Sequence, residues 1–101
     1  MRTNRFVVIT SDTLVYAKGL ILKGFVLLCS ALGGDIVIYD GQDATSGRKV
    51  GTFKGLANAS TPIDFGEGLR LERGLFVDVG SSVTEVLLYF DPWEIESETE
   101  E

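Results

Sequence analysis

Between Tyr16 and Pro92 the chain is a succession of short apolar runs separated by glycine-rich or small polar turns, and few of its residues have side chains suited to catalysis. That cadence predicts strands. Candidate strands are 5–10, 13–18, 20–30, 35–40, 51–56, 69–73, 75–79 and 83–90, each bounded by Gly, Asp, Asn, Ser or Pro. Eight strands at a spacing of roughly ten residues predict a sandwich or barrel, and a chain of 101 residues holds one core.

Alternation is clearest near the C-terminal end. Leu75, Val77 and Val79 share one face with Asp78 on the other, and Val86, Leu88 and Phe90 alternate with Glu85, Leu87 and Tyr89. If only one side of the sheet is buried, Leu87 and Tyr89 lie on an outer face as candidate interface residues. If both sides are covered within the domain, they are core.

The apolar segment from Leu20 to Leu32 reads as a strand, with a short helix as the alternative; Gly19, Gly24 and the Gly33-Gly34 pair weaken the helix. Lys23-Gly24 is expected to form a bulge or a bend that passes one long strand between sheets. Gly33-Gly34-Asp35 is expected to be a hairpin turn. Two longer surface loops are expected at 41–49 and 57–62. Asp91-Pro92-Trp93 should end the last strand, because proline cannot donate to a continuing ladder; Trp93 then packs on the edge or into a neighbour. The domain organisation is an N-terminal arm or edge strand over 1–10, a sandwich over 11–92 and an acidic tail over 93–101.

Composition removes several chemistries. With no histidine and the single cysteine Cys29, histidine-dependent triads, internal disulfides and thiolate zinc sites are excluded. Cys29, inside an apolar run, reads as a small buried hydrophobe. Carboxylates at Asp40, Asp43, Asp64, Glu67, Glu72 and Asp78 show no spacing that pairs two across a cleft. Asp40-Gly41-Gln42-Asp43 places two hard oxygen donors in one loop but lacks the repeated acids and closing glutamate of a calcium loop, and Asp40-Gly41 reads as a turn opener. No catalytic residue, metal site or cofactor is expected.

The net charge of -6 is concentrated: Glu94, Glu96, Glu98, Glu100 and Glu101 follow the last apolar run, leaving ten acids against nine bases elsewhere. A nearly neutral body with an acidic end offers no face for phosphate, so no direct contact with nucleic acid is expected. Arg2 and Arg5 in the N-terminal arm could contact acids of a neighbouring subunit. The first residues do not read as a signal peptide, and Lys18 and Lys23 interrupt the only run approaching membrane length, so no membrane partner is expected and the reducing cytoplasm is the default place of synthesis.

The order of segments resembles a class of small bacteriophage virion proteins. The likeness runs through Lys18-Gly19-Leu20-Ile21-Leu22-Lys23-Gly24-Phe25-Val26, Ile36-Val37-Ile38-Tyr39-Asp40-Gly41 with its Thr/Ser/Gly loop, Phe65-Gly66-Glu67-Gly68-Leu69-Arg70-Leu71, Gly74-Leu75-Phe76-Val77-Asp78-Val79 and Glu85-Val86-Leu87-Leu88-Tyr89-Phe90. It covers about residues 16 to 90 and consists of turns and strands; the N-terminal arm and acidic tail lie outside it. The resemblance implies an all-β, jelly-roll-like sandwich of about eight short antiparallel strands; the run of glutamates after it reads, from composition, as a flexible acidic C-terminal tail. The resemblance also implies a non-enzymatic capsid decoration or cement subunit, or a neck or tail component, located in the virion and partnered by the major capsid protein or another virion protein; the small size of the domain, with Leu87 and Tyr89 opposite its core face, adds the expectation of a homo-oligomer. A tail or spike module binding host-surface carbohydrate is the alternative. The candidate interface set is Leu87, Tyr89, Trp93, Arg2 and Arg5.

Overall fold

The computed structural model describes residues 5–30 and 33–92, with the Arg5 side chain outside the description. Arg2, Trp93 and the acidic tail therefore lie outside the described residues. The elements are β1 (Arg5–Ile9), β2 (Thr13–Tyr16), β3 (Leu20–Cys29), β4 (Gly34–Asp40), β5 (Arg48–Gly55), β6 (Ser60–Leu71), β7 (Leu75–Val79) and β8 (Val83–Pro92), with no helix among the described residues. They form two four-stranded antiparallel sheets, ordered β1-β8-β3-β6 and β2-β7-β4-β5. Only β4 and β5 are both consecutive and paired, so nearly every connection carries the chain from one sheet to the other.

The inner faces of both sheets meet in one core. Leu20, Leu22, Phe25, Leu27, Val86 and Leu88 from one sheet and Ile36, Ile38, Leu75 and Val77 from the other are fully buried. Rings fasten the two sheets: Phe25 packs edge-on against Phe53 at 5.1 Å and Tyr16 meets Phe90 at 5.4 Å, while Phe65, on the same sheet as Phe25, packs against it at 5.9 Å.

β3 explains its own unbroken apolar sequence. Leu20 and Leu22 point inward, and then the parity changes so that Phe25, Leu27 and Cys29 do. The change occurs at a register shift between Leu22 and Gly24, seen in the ladders on both sides of the strand. A Cβ on Gly24 would stand 2.5 Å from the Ile63 carbonyl oxygen, so the bulge requires glycine. The expected bulge is present, but the strand does not pass between sheets: it stays between β8 and β6 for its whole length.

Four further expectations are corrected. Gly33-Gly34-Asp35 is not a hairpin, because β3 and β4 belong to different sheets; Gly33 adopts φ 74 and its N–H closes a turn onto the Ser30 carbonyl at 3.0 Å. The expected loop at 57–62 shrinks, since Asn58 turns the chain with φ 54 and strand resumes at Ser60. β6 thus begins nine residues before the expected Leu69. It lies at a sheet edge, where Pro62 leaves no partner strand short of a donor. Arg48 and Lys49 belong to β5 rather than to the preceding loop.

Candidate docking surface

Because β3 is apolar on both sides, its outward residues leave the outside of the β1-β8-β3-β6 sheet apolar as well. The registers define two rows across all four strands: Val8, Leu87, Val26 and Pro62 in one, and Phe6, Tyr89, Gly24 and Asp64 in the next. Phe6 is 70% exposed, Val8 49% and Tyr89 41%, while Leu87 and Val26 are half-buried by their neighbours. Apolar side chains standing together on a sheet face without cover among the described residues mark an interaction surface more strongly than isolated ones do.

The face is not flat. At Gly24 no side chain fills the space between Tyr89 and Asp64, and a groove of about 360 Å³ opens there, bounded by Lys23, Val26, Pro62, Asp64 and Tyr89. The outside of the other sheet differs. Tyr39 and Phe76 pair at 6.2 Å beside Leu14, but charged Lys49 and Asp78 flank them in the adjoining strand positions.

Leu87 and Tyr89 are thus placed together on the outer face. Arg5 contributes its backbone, paired with Phe90. Sequence reasoning missed Phe6, Val8, Val26 and Pro62. The run Phe6-Val7-Val8-Ile9 is apolar at every position, so its parity carries no signal, and only pairing with β8 shows which residues face out.

The carboxylates considered for chemistry have local structural tasks. Asp40 is buried, and its Oδ1 accepts the N–H groups of Glu72 at 3.1 Å and Arg73 at 2.9 Å, holding the turn between β6 and β7. Asp43 accepts from the Ser46 N–H and hydroxyl and from the Thr45 N–H, and these bonds, with the Ser46 N–H foremost, hold its carboxyl below the ordinary value. The two acids therefore serve different parts of the molecule, and no group of three His, Cys, Asp or Glu among the described residues is arranged to hold a metal. Cys29 is buried, with its thiol 3.8 Å from the Gly34 carbonyl.

Asp78 shows the opposite perturbation. Partial desolvation, followed by the nearby Asp12 carboxylate and the charge of Asp35, raises its pKa. A raised carboxyl pKa means the folded state holds the proton more tightly than the unfolded chain. Its stabilising contribution is present at acid pH and is lost as pH rises through the folded value. Asp78→Asn should therefore melt slightly higher than the wild type at pH 7, and the gap should close as pH falls into the carboxylate range. Thermal melts of both proteins across a pH series check this; a gap that widens in acid would contradict it.

No family profile, curated protein or solved structure matches this chain. No helix among the described residues is long and apolar enough to cross a membrane.

Proposed function

We propose that this chain is a non-enzymatic structural protein of a bacteriophage particle, a decoration or cement subunit that binds the capsid lattice and stabilises it. The observation that carries the reading is the apolar outer face built by Phe6, Val8, Leu87, Tyr89 and Val26, which suits adhesion to another protein surface. The strand orders β1-β8-β3-β6 and β2-β7-β4-β5 support it further. We read them as a jelly roll, two four-stranded sheets of an eight-stranded double Greek key, an architecture that recurs in viral capsid proteins and lectins. A rigid sandwich seated on neighbouring subunits adds association free energy that opposes internal pressure without any bond being made or broken.

One feature favours a second reading, a tail or spike module that binds carbohydrate: the groove places the Tyr89 ring beside Asp64 and Lys23, which offers stacking and polar contacts together. Mass spectrometry of purified particles, with cryo-electron microscopy to locate the sandwich, tests the main reading. Stoichiometric copies on the capsid shell support decoration. Absence from particles overturns it, and density confined to a tail tip with glycan binding lost in Tyr89→Ala favours the alternative.

A further inference from the structure

The apolar face divides into unlike halves. β1 and β8 carry the exposed rings of Phe6 and Tyr89, whereas β3 and β6 carry the depression over Gly24 between Pro62 and Asp64. We propose that the occupant of this face is a second copy of the chain, related by a two-fold axis parallel to the strands and lying between β8 and β3. This rests on the reading of the face as a docking surface and names its partner: the face joins two copies, and the dimer is the unit that seats on the particle.

The operation lays β1 over β6 of the second copy and β8 over its β3, keeping each row intact. Leu87 then stands over Val26 of the second copy, Val8 over its Pro62, and Tyr89 over its Gly24, while Phe6 meets the Pro62 and Asp64 rim of the groove. Rings on one copy face the depression on the other, and the symmetry repeats the fit. That is what an isologous interface requires. A two-fold axis across the strands does worse. It sets Tyr89 against Leu87, crowds projecting side chains together, leaves the depression facing half-buried Val26, and opposes Glu85 to Asp91 of the second copy.

The extent of the face is adequate. Four strands about 4.8 Å apart, over some eight residues at about 3.3 Å each, cover roughly 500 Å² in projection and more as accessible surface. This approaches the roughly 800 Å² per partner of stable complexes.

Light scattering after size exclusion should show a dimer of the isolated protein at micromolar concentration. Phe6→Asp, at a site 70% exposed and therefore compatible with folding, should weaken dimerisation roughly a hundredfold because the contact is lost twice. Leu56→Asp, at an equally exposed apolar site just after β5, should leave it unchanged. Circular dichroism verifies that both variants are folded. A Val8→Cys, Pro62→Cys double variant should give a covalent dimer with a bis-maleimide of about 10 Å reach, the spacing of face-to-face sheets, and neither single variant should. A monomer at every concentration, or equal cross-linking by a single variant, overturns the inference. If the protein is monomeric yet binds particles through this face, only the self-pairing fails; if it dimerises as described and never binds particles, only the virion role fails.

Discussion

Phe25→Ala should cost about 3–5 kcal/mol of stability, the usual range for emptying a buried phenylalanine site, and lower the melting temperature on the order of 20 °C in a domain of this size. Phe25 is fully buried and touches the rings of both Phe53, across the core, and Phe65, on its own sheet. Its removal opens a cavity where the two sheets are joined, beside a bulge that cannot shift to fill it because Gly24 is pressed against the β6 backbone. Val26→Ala, one residue along and outward, should cost about 1 kcal/mol. Urea unfolding of the two variants compares them directly, and similar losses would contradict the placement of Phe25 at the joint.

The second large effect belongs to a polar residue. Asp40→Ala removes the acceptor of two backbone N–H groups in a partly buried turn, and hydrogen bonds to a charged group contribute about 1.5–3 kcal/mol each. A loss of about 3 kcal/mol is expected. Asp40→Asn retains a carbonyl oxygen and should recover part of it. The Arg48 guanidinium lies 3.5 Å from Asp40 Oδ2, but the Arg48 side chain is 81% exposed, so Arg48→Ala should cost less than about 1 kcal/mol. Chemical denaturation of the three variants checks the order. Equal losses in Asp40→Ala and Arg48→Ala would show that the ion pair, not the turn, is what Asp40 supports.

What could be read in the sequence was local. The strand over 75–79 has the expected bounds, and the alternation in β8 separated Val86, Leu88 and Phe90 from Leu87 and Tyr89 but left open whether the second set is covered; the structure places Leu87 and Tyr89 on the outer face. Sheet membership was not legible, because partners such as Leu20 and Pro92, more than seventy residues apart, are brought together only by the tertiary fold. β6 escaped notice for a different reason. Residues 57–68 have the small, polar and glycine-rich composition of a loop, and pairing with β3 extends Ser60 to Asp64, with Gly66 and Gly68 absorbing the excess length at positive φ before pairing resumes at Leu69. Asp40 had the spacing of a turn opener, yet the turn it holds lies more than thirty residues downstream. The docking surface was half visible: β8 showed its outward residues through alternation, while β1 and β3 are apolar on both sides and hide theirs.

The most direct test of the docking surface is co-sedimentation with assembled phage particles that lack this chain, comparing wild type, Phe6→Asp and Leu56→Asp at matched concentration. Wild type and Leu56→Asp should pellet with the particles, while Phe6→Asp, still folded, should remain in the supernatant. Equal binding by all three would contradict it.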